Sequence, residues 1–224
     1  MQNQSTYLRD TKDVIRKIEQ LELPPNCLIV TIDCIGMFTN VLQNEVEQEV
    51  LRVLSATNPG DYFPIMPVIR HMEALLKLVL HRNCFSFNNK FYLQTGVAMG
   101  QKCAPELCDI MFHALEKKFI SLSDKIFKWT RYRDDILMFW SGDEHELANF
   151  LSRINSMHPV LKFTHEWSKS EINFLDLTLY KGERFKSTRV LDIKCYSKPC
   201  DTYQFLSRDS SHPNSCFHGR YDQR

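Results

Sequence analysis

The spacing of apolar residues changes several times along the chain, and each change marks an expected element. Val14, Ile15, Ile18 and Leu21 recur at helical spacing behind Asp10-Thr11, which predicts a capped amphipathic helix that Pro24-Pro25 ends. Residues 27–33, Cys-Leu-Ile-Val-Thr-Ile-Asp, form a continuous, β-branched apolar run that reads as a buried strand. Helical spacing returns over about 43–55, closed by Asn58-Pro59-Gly60. It returns again from Pro67 to about Leu80, with Val68, Met72, Leu75, Leu76 and Val79 on one side. Two short aromatic runs, 84–87 and 91–93, flank Asn88-Asn89 and predict a hairpin. A glycine-punctuated loop over 94–102 then opens a helix over about 104–121. Strands over 128–132 and 136–140 enclose Arg133-Asp134-Asp135, and a helix over about 144–157 follows. The remainder reads as strands at 161–165, 174–180 and 190–196, with a turn at Gly182 and a polar, irregular end from Cys200 to Arg224. Helices and strands mix without strict βαβ alternation, so the expected class is α+β.

Composition narrows this little. The chain has 224 residues, 43% hydrophobic and 25% charged, which suits a globular protein and excludes a disordered tail, a collagen-like repeat or a coiled-coil rod. No apolar stretch approaches the ~20 residues of a membrane helix, and the first residues carry no secretory h-region. The eight cysteines form no CxxC pair and no zinc spacing, and read as reduced thiols of an intracellular protein. The net charge of +1 hides blocks: residues 1–69 carry −4, 70–133 carry +6, 134–180 carry −5 and 181–224 carry +4. Alternation of that kind suits a protein that holds cations in one place and polyanions in another, although chance unevenness also produces it.

Chemistry concentrates in three places. Asp33 closes the apolar strand, and an ionised carboxylate there needs a compensating partner, either a metal ion or an arginine, unless it only caps the following turn. Asp134-Asp135 stands at a tight hairpin tip. Side-chain alternation sends the two to opposite faces, so only one sits squarely beside Asp33. Like charges held close repel, and a divalent cation removes that penalty. Hard oxygen donors without histidine favour Mg²⁺, while solvated turn chemistry is the plainer alternative. The third place is the loop from Gln94 to Pro105, where Gly96 and Gly100 allow close backbone approach, Lys102 adds charge and a helix begins. It lacks P-loop spacing. An acid on a strand, a glycine loop with a helix, then an acid pair in a hairpin is the order of polymerase palm motifs A, B and C. Two-metal phosphoryl transfer needs such convergence of carboxylates, with the ions ~3.5–4 Å apart.

On these residues the chain resembles the reverse transcriptase of Penelope-like retroelements, a group related to telomerase reverse transcriptase. Thr31-Ile-Asp33-Cys-Ile-Gly-Met-Phe38-Thr39-Asn40-Val41 is similar to the family's motif A. Gly96-Val-Ala-Met-Gly100-Gln-Lys-Cys-Ala-Pro105 is similar to its motif B, and Tyr132-Arg133-Asp134-Asp135 to the Y-x-D-D box of motif C. Phe163-Thr164-His165-Glu166, Ile172–Asp176, Tyr196–Thr202 and Ser211-His212-Pro213 resemble further signatures of the group.

The resemblance implies a right-hand polymerase palm, an antiparallel sheet backed by helices, with fingers and thumb largely missing. It divides the chain into an N-terminal helix and fingers remnant (1–26), the palm (27–180) and a primer-grip or start-of-thumb segment (181–224). It implies RNA-directed DNA polymerase activity, a nucleotidyl transfer using two Mg²⁺ ions, with Mn²⁺ a possible substitute. The partners would be an RNA template, a DNA primer and dNTPs, and nuclear residence follows from the family alone. Asp33, Asp134 and Asp135 become catalytic metal ligands. Phe38, five residues after Asp33, would screen the sugar against a 2′-hydroxyl. Gly100, Gln101 and Lys102 would face the nucleotide, and Tyr132, Lys198 and Pro199 the primer and template. Lys162 and Lys169 are options for the acid that protonates pyrophosphate. Two alternatives stand beside this: a truncated, inactive element-derived domain that binds nucleic acid or a partner, and an RNA-dependent RNA polymerase, against which the bulky Phe38 argues.

Overall fold

The computed structural model describes residues 6–56, 69–201, 207 and 209–213. Its first helix, α1 (Thr11–Glu19), begins where Asp10 accepts a hydrogen bond from the Asp13 backbone N–H at 2.8 Å, the expected cap. The apolar run that follows forms β1 (Leu28–Cys34). After a left-handed turn at Gly36 (φ +54°) come a short helix not foreseen from the sequence, α2 (Met37–Asn40), and then α3 (Gln43–Ala56). Next in order are α4 (Ile69–His81), β2 (Cys84–Phe87), β3 (Lys90–Leu93), α5 (Ala104–Ile120), β4 (Ile126–Tyr132), β5 (Asp135–Trp140) and α6 (Glu144–Met157). The helix start expected at Pro67 lies outside the described residues.

β1 is the centre of a four-stranded antiparallel sheet with β6 (Phe163–Ser168), in the order β4-β5-β1-β6. Strand alternation explains why its sequence is almost wholly apolar. Leu28, Val30, Ile32 and Cys34 face a core built with α3, α5 and α6, while Ile29 joins Leu137 and Phe139 in a second core beneath α1. Burial on both faces removes any need for polar alternation. Helix α5 lies in the first core with nine buried residues, and Phe112 and Phe119 pack edge-on against Phe163. The α6 N-terminus carries a reciprocal capping box between Asp143 and Glu146.

The C-terminal part differs from the expectation. The run expected as one strand over 174–180 is two, β7 (Glu171–Phe174) and β8 (Leu177–Tyr180), folded back through Leu175 at φ +52°. Gly182 does not turn one strand into the next. It precedes a one-turn helix, α7 (Glu183–Thr188), which buries Phe185, and only then comes β9 (Asp192–Cys195). β7, β8 and β9 form their own three-stranded sheet, covering the second core with Ile172, Phe174, Leu177 and Leu179. β2 and β3 form a separate two-stranded ribbon. The class is therefore mixed helix and antiparallel sheet, with three sheets where one was expected. Among the described residues no helix is long and apolar enough to cross a membrane.

Candidate active site

The acids meet because of strand register. Asp33 lies directly opposite Asp135 across the β1/β5 pair, so the two side chains stand on one face, the face of Ile29, Leu137 and Phe139 at its open end. Asp134 occupies the preceding turn with Arg133, which takes a left-handed conformation (φ +55°). The Asp134 carbonyl accepts the Cys34 N–H at 3.3 Å. Alternation thus selects Asp135 as the cross-strand partner of Asp33, with Asp134 beside both.

Electrostatics bind the three together. Burial, then the Asp134 charge, raises the Asp33 pKa above the usual carboxylate range. Asp135 is pushed up to about 6 by burial and by Asp134 and Asp33, with Lys198 opposing. The same acids act on the neighbouring thiol, for burial and then Asp134 and Asp33 push Cys34 up to about 12. Among the described residues, no cation lies within ion-pair distance of any of the three carboxylates, and none of their side-chain oxygens accepts a hydrogen bond. Close, uncompensated, hard oxygen donors are chemically suited to Mg²⁺ or Mn²⁺. They are not a finished cage, because among the described residues no three acidic, histidine or cysteine side chains are already grouped as a metal-binding set. A cavity of about 250 Å³ opens beside Asp33 and Asp135, walled by Thr31, Glu166, Asn173 and Leu175.

The glycine loop joins the site through motif A. Val97 donates to the Phe38 carbonyl at 2.7 Å, and a Cβ on Gly96 (φ +74°) would stand 2.5 Å from the Phe38 and Thr39 carbonyl oxygens. Gly96 is therefore the glycine this contact requires. Gly100 (φ +93°), singled out from the sequence, stands in open space. Phe38 lies in α2, partly buried against the helical core. Gln101 turns its amide to Asn83 Oδ1 at 2.7 Å and the Val79 carbonyl at 3.3 Å, so it holds the loop to the end of α4. Lys102 is exposed at the start of α5. Tyr132 pairs with Asp135 and packs on the second core. Of the expected primer-side residues, Lys198 acts on Asp135 by its charge, while Pro199 is exposed nearby in sequence. Lys162 caps the end of α6 through the Asn155 and His158 carbonyls, and Lys169 pairs with Glu144 at 2.6 Å, so both ammonium groups are engaged away from the acids.

Sequence reasoning missed the support behind the hairpin tip. Arg131, fully buried, donates to Asp109 Oδ1 at 2.7 Å and to the Arg133 carbonyl at 2.7 Å. Arg133 reaches the other Asp109 oxygen at 2.5 Å. Glu116 completes the group, taking the Trp129 indole N–H at 2.6 Å and lying 3.5 Å from Arg131 Nε. Helix α5 thereby grips both residues that flank Tyr132. The available signal was Asp109 itself, a carboxylate inside the apolar run from Leu107 to Phe112.

With this geometry in place, comparison with known proteins gives a consistent fold. No family model matches the chain, and no curated protein matches it in sequence. Among solved structures, apo telomerase from Candida tropicalis truncated from its C-terminal domain superposes with a TM-score of 0.63 at 13% identity. The match covers 85% of this chain and 41% of that one. Telomerase from Candida albicans in complex with a fragment of telomeric RNA gives 0.64 at 16% identity, over 85% and 36%. The RNA-dependent RNA polymerase of a human picobirnavirus gives 0.54 at 14% identity, over 81% and 34%. The chain spans less than half the length of each, and the likeness at these identities is one of fold: a reverse-transcriptase and RNA-polymerase-like architecture.

Proposed function

We propose that the chain is the palm of an RNA-directed DNA polymerase of the Penelope-like group, which adds dNTPs to a primer 3′-hydroxyl on an RNA template. The observation that carries this reading is the meeting of Asp33, Asp134 and Asp135 at the end of one strand pair, with no cation in ion-pair contact among the described residues. Its neighbour is a glycine loop that opens a helix, in the chain order A, B, C. The polymerase-like fold supports it.

In this reading Asp33, Asp134 and Asp135 hold two Mg²⁺ ions, or Mn²⁺, which when bound would activate the primer hydroxyl and steady the triphosphate. The rest falls to the chain's own residues. Burial, and after it repulsion from the neighbouring carboxylates, raises the Asp33 and Asp135 pKa values, and a bound cation would relieve that cost. Lys198, whose charge already reaches Asp135, offers a positive group to phosphate on the primer side. Phe38 screens the sugar from α2, where the Val97 hydrogen bond fixes its backbone. Gly100 leaves its open backbone to the nucleotide, Lys102 adds charge beside it, and Gln101 holds the loop in shape.

The second reading, a catalytically inactive retroelement-derived domain that binds nucleic acid or a partner, is favoured by one observation. Among the described residues no ready-made group of three metal ligands is assembled. Nucleotide selection tests the leading reading. With Mg²⁺ and a primed RNA template, dTTP is incorporated and UTP is not, and Phe38→Ala admits UTP. Preference for UTP by the unaltered protein would make it an RNA polymerase instead.

A further inference from the structure

The ribbon β2–β3 is built unlike the rest of the molecule. Its strands expose every residue, large apolar side chains included: Phe91 is 83% accessible, Phe87 69% and Leu93 67%. Register divides these residues between two faces. Phe85, Phe87, Lys90 and Tyr92 share one, with Phe85 and Tyr92 stacked at 5.4 Å, and Phe91 and Leu93 share the other. Aromatic rings left in water on a two-stranded ribbon add nothing to either core, so packing does not explain them.

Charge indicates what covers them. From Ala74 to Pro105 the chain contains no aspartate or glutamate, although 27 occur in the 224 residues. Within that stretch Arg82, Lys90 and Lys102 are exposed, and none forms an ion pair among the described residues. Exposed rings interleaved with unpaired cations on an acid-free stretch of chain fit a polyanion with flat, unpaired bases better than a protein surface. The ribbon is also fixed to the site loop. Gln94 donates to the Asn83 carbonyl at 2.9 Å, and Gln43 holds the Leu80 and Gly96 carbonyls, each at 2.6 Å.

We propose that one face of β2–β3 is a stacking platform for unpaired template RNA, holding the single strand next to the glycine loop through Phe87 and the Phe85–Tyr92 pair, with Lys90 on the phosphates. The identity of the strand as template rests on the polymerase reading; the platform itself does not. Base stacking on an aromatic ring contributes enough that each ring removed weakens binding about 5-fold or more.

The test is fluorescence anisotropy with a fluorescein-labelled 12-nucleotide oligo(rU) at moderate salt. Phe85→Ala/Phe87→Ala weakens binding about 20-fold or more, while Phe85→Tyr/Phe87→Tyr restores most of it. Neither variant shifts the melting temperature, because both positions are exposed. Wild-type protein that fails to bind the oligonucleotide, or an alanine variant that binds it equally well, overturns the proposal. So does a dimer, seen by sedimentation velocity, that the alanine substitutions abolish, because the rings would then dock a second copy. Ring-dependent binding without any nucleotide addition would leave the platform standing and remove the polymerase reading.

Discussion

Asp109→Asn removes half of a buried charge pair while keeping its shape, and the structure fixes what should follow. Arg131 is fully buried, and among the described residues its Nε and Nη2 atoms have no hydrogen-bond partner. Its charge is met by Asp109 at 2.7 Å and by Glu116 at 3.5 Å, and its guanidinium lies 5.0 Å from the Phe112 ring centre. Breaking a buried pair from one side leaves the other charge uncompensated and costs about 3–5 kcal/mol. Glu116 stays 3.5 Å from Arg131 and the amide still accepts one hydrogen bond, which places this variant at the low end, ~3 kcal/mol. Arg133→Ala supplies the control. It breaks the 2.5 Å contact with the same carboxylate, but Arg133 is 30% exposed, so its loss should cost about 1 kcal/mol or less. Urea denaturation followed by the fluorescence of buried Trp129 and Trp140 reads both. With a slope of about 2–3 kcal/mol per molar, Asp109→Asn lowers the midpoint by about 1–1.5 M and Arg133→Ala by less than about 0.5 M. Equal shifts for the two variants would refute the claim that Arg131 depends on Asp109 inside the fold.

Gly96→Ala should cost about 2–4 kcal/mol in thermal or urea unfolding, because its Cβ meets two backbone oxygens at a positive φ. Gly100→Ala, in open space, pays only the left-handed strain of about 1–2 kcal/mol, and a reversed order of the two would contradict the packing of the loop on Phe38. Burial alone would raise the Asp13 pKa, but the Arg9 backbone N–H and the Lys17 and Arg9 charges hold it below the ordinary value. Its stabilisation is then complete above the unfolded pKa of about 3.9 and is lost as pH falls through the folded value. Asp13→Asn should therefore lower urea midpoints at pH 7, with the gap to wild type closing only below about pH 4; a gap that widens in acid would be the wrong sign. Cys34 and Cys108, buried with thiols pushed up to about 12, should resist a thiol reagent at pH 8 in the native protein, whereas exposed Cys84, Cys103, Cys195 and Cys200 react; rapid labelling of Cys34 would show that the strand end is open.

The parts of the fold legible in the sequence are those whose signal is local. The Asp10 cap, the apolar run of β1 and the Asn88-Asn89 hairpin each carry their cause within a few residues, and each is where it was expected. So is the pairing of one acid of the doublet with Asp33, which follows from strand alternation alone. What was not legible depends on distant contacts. The split of 174–180 at Leu175 answers to β9 and to the second core, and the helix after Gly182 is held by burial of Phe185. Similarly, Gly96 and Gly100 look alike in the sequence; only the approach of the Phe38 and Thr39 carbonyls separates them. Asp109 lies 22 residues before the arginine it holds, and no spacing rule connects them.

Primer extension on a poly(rA)/oligo(dT) duplex with Mg²⁺ and dTTP tests the central claim most directly, run beside Asp134→Asn/Asp135→Asn and with the metal chelated. The account predicts extension by the wild type, with none from the double variant or without metal. Extension that survives loss of both aspartates would contradict it. So would a wild type that binds the duplex, in a salt-sensitive way, but adds no nucleotide; that result would make the inactive-domain reading the correct one.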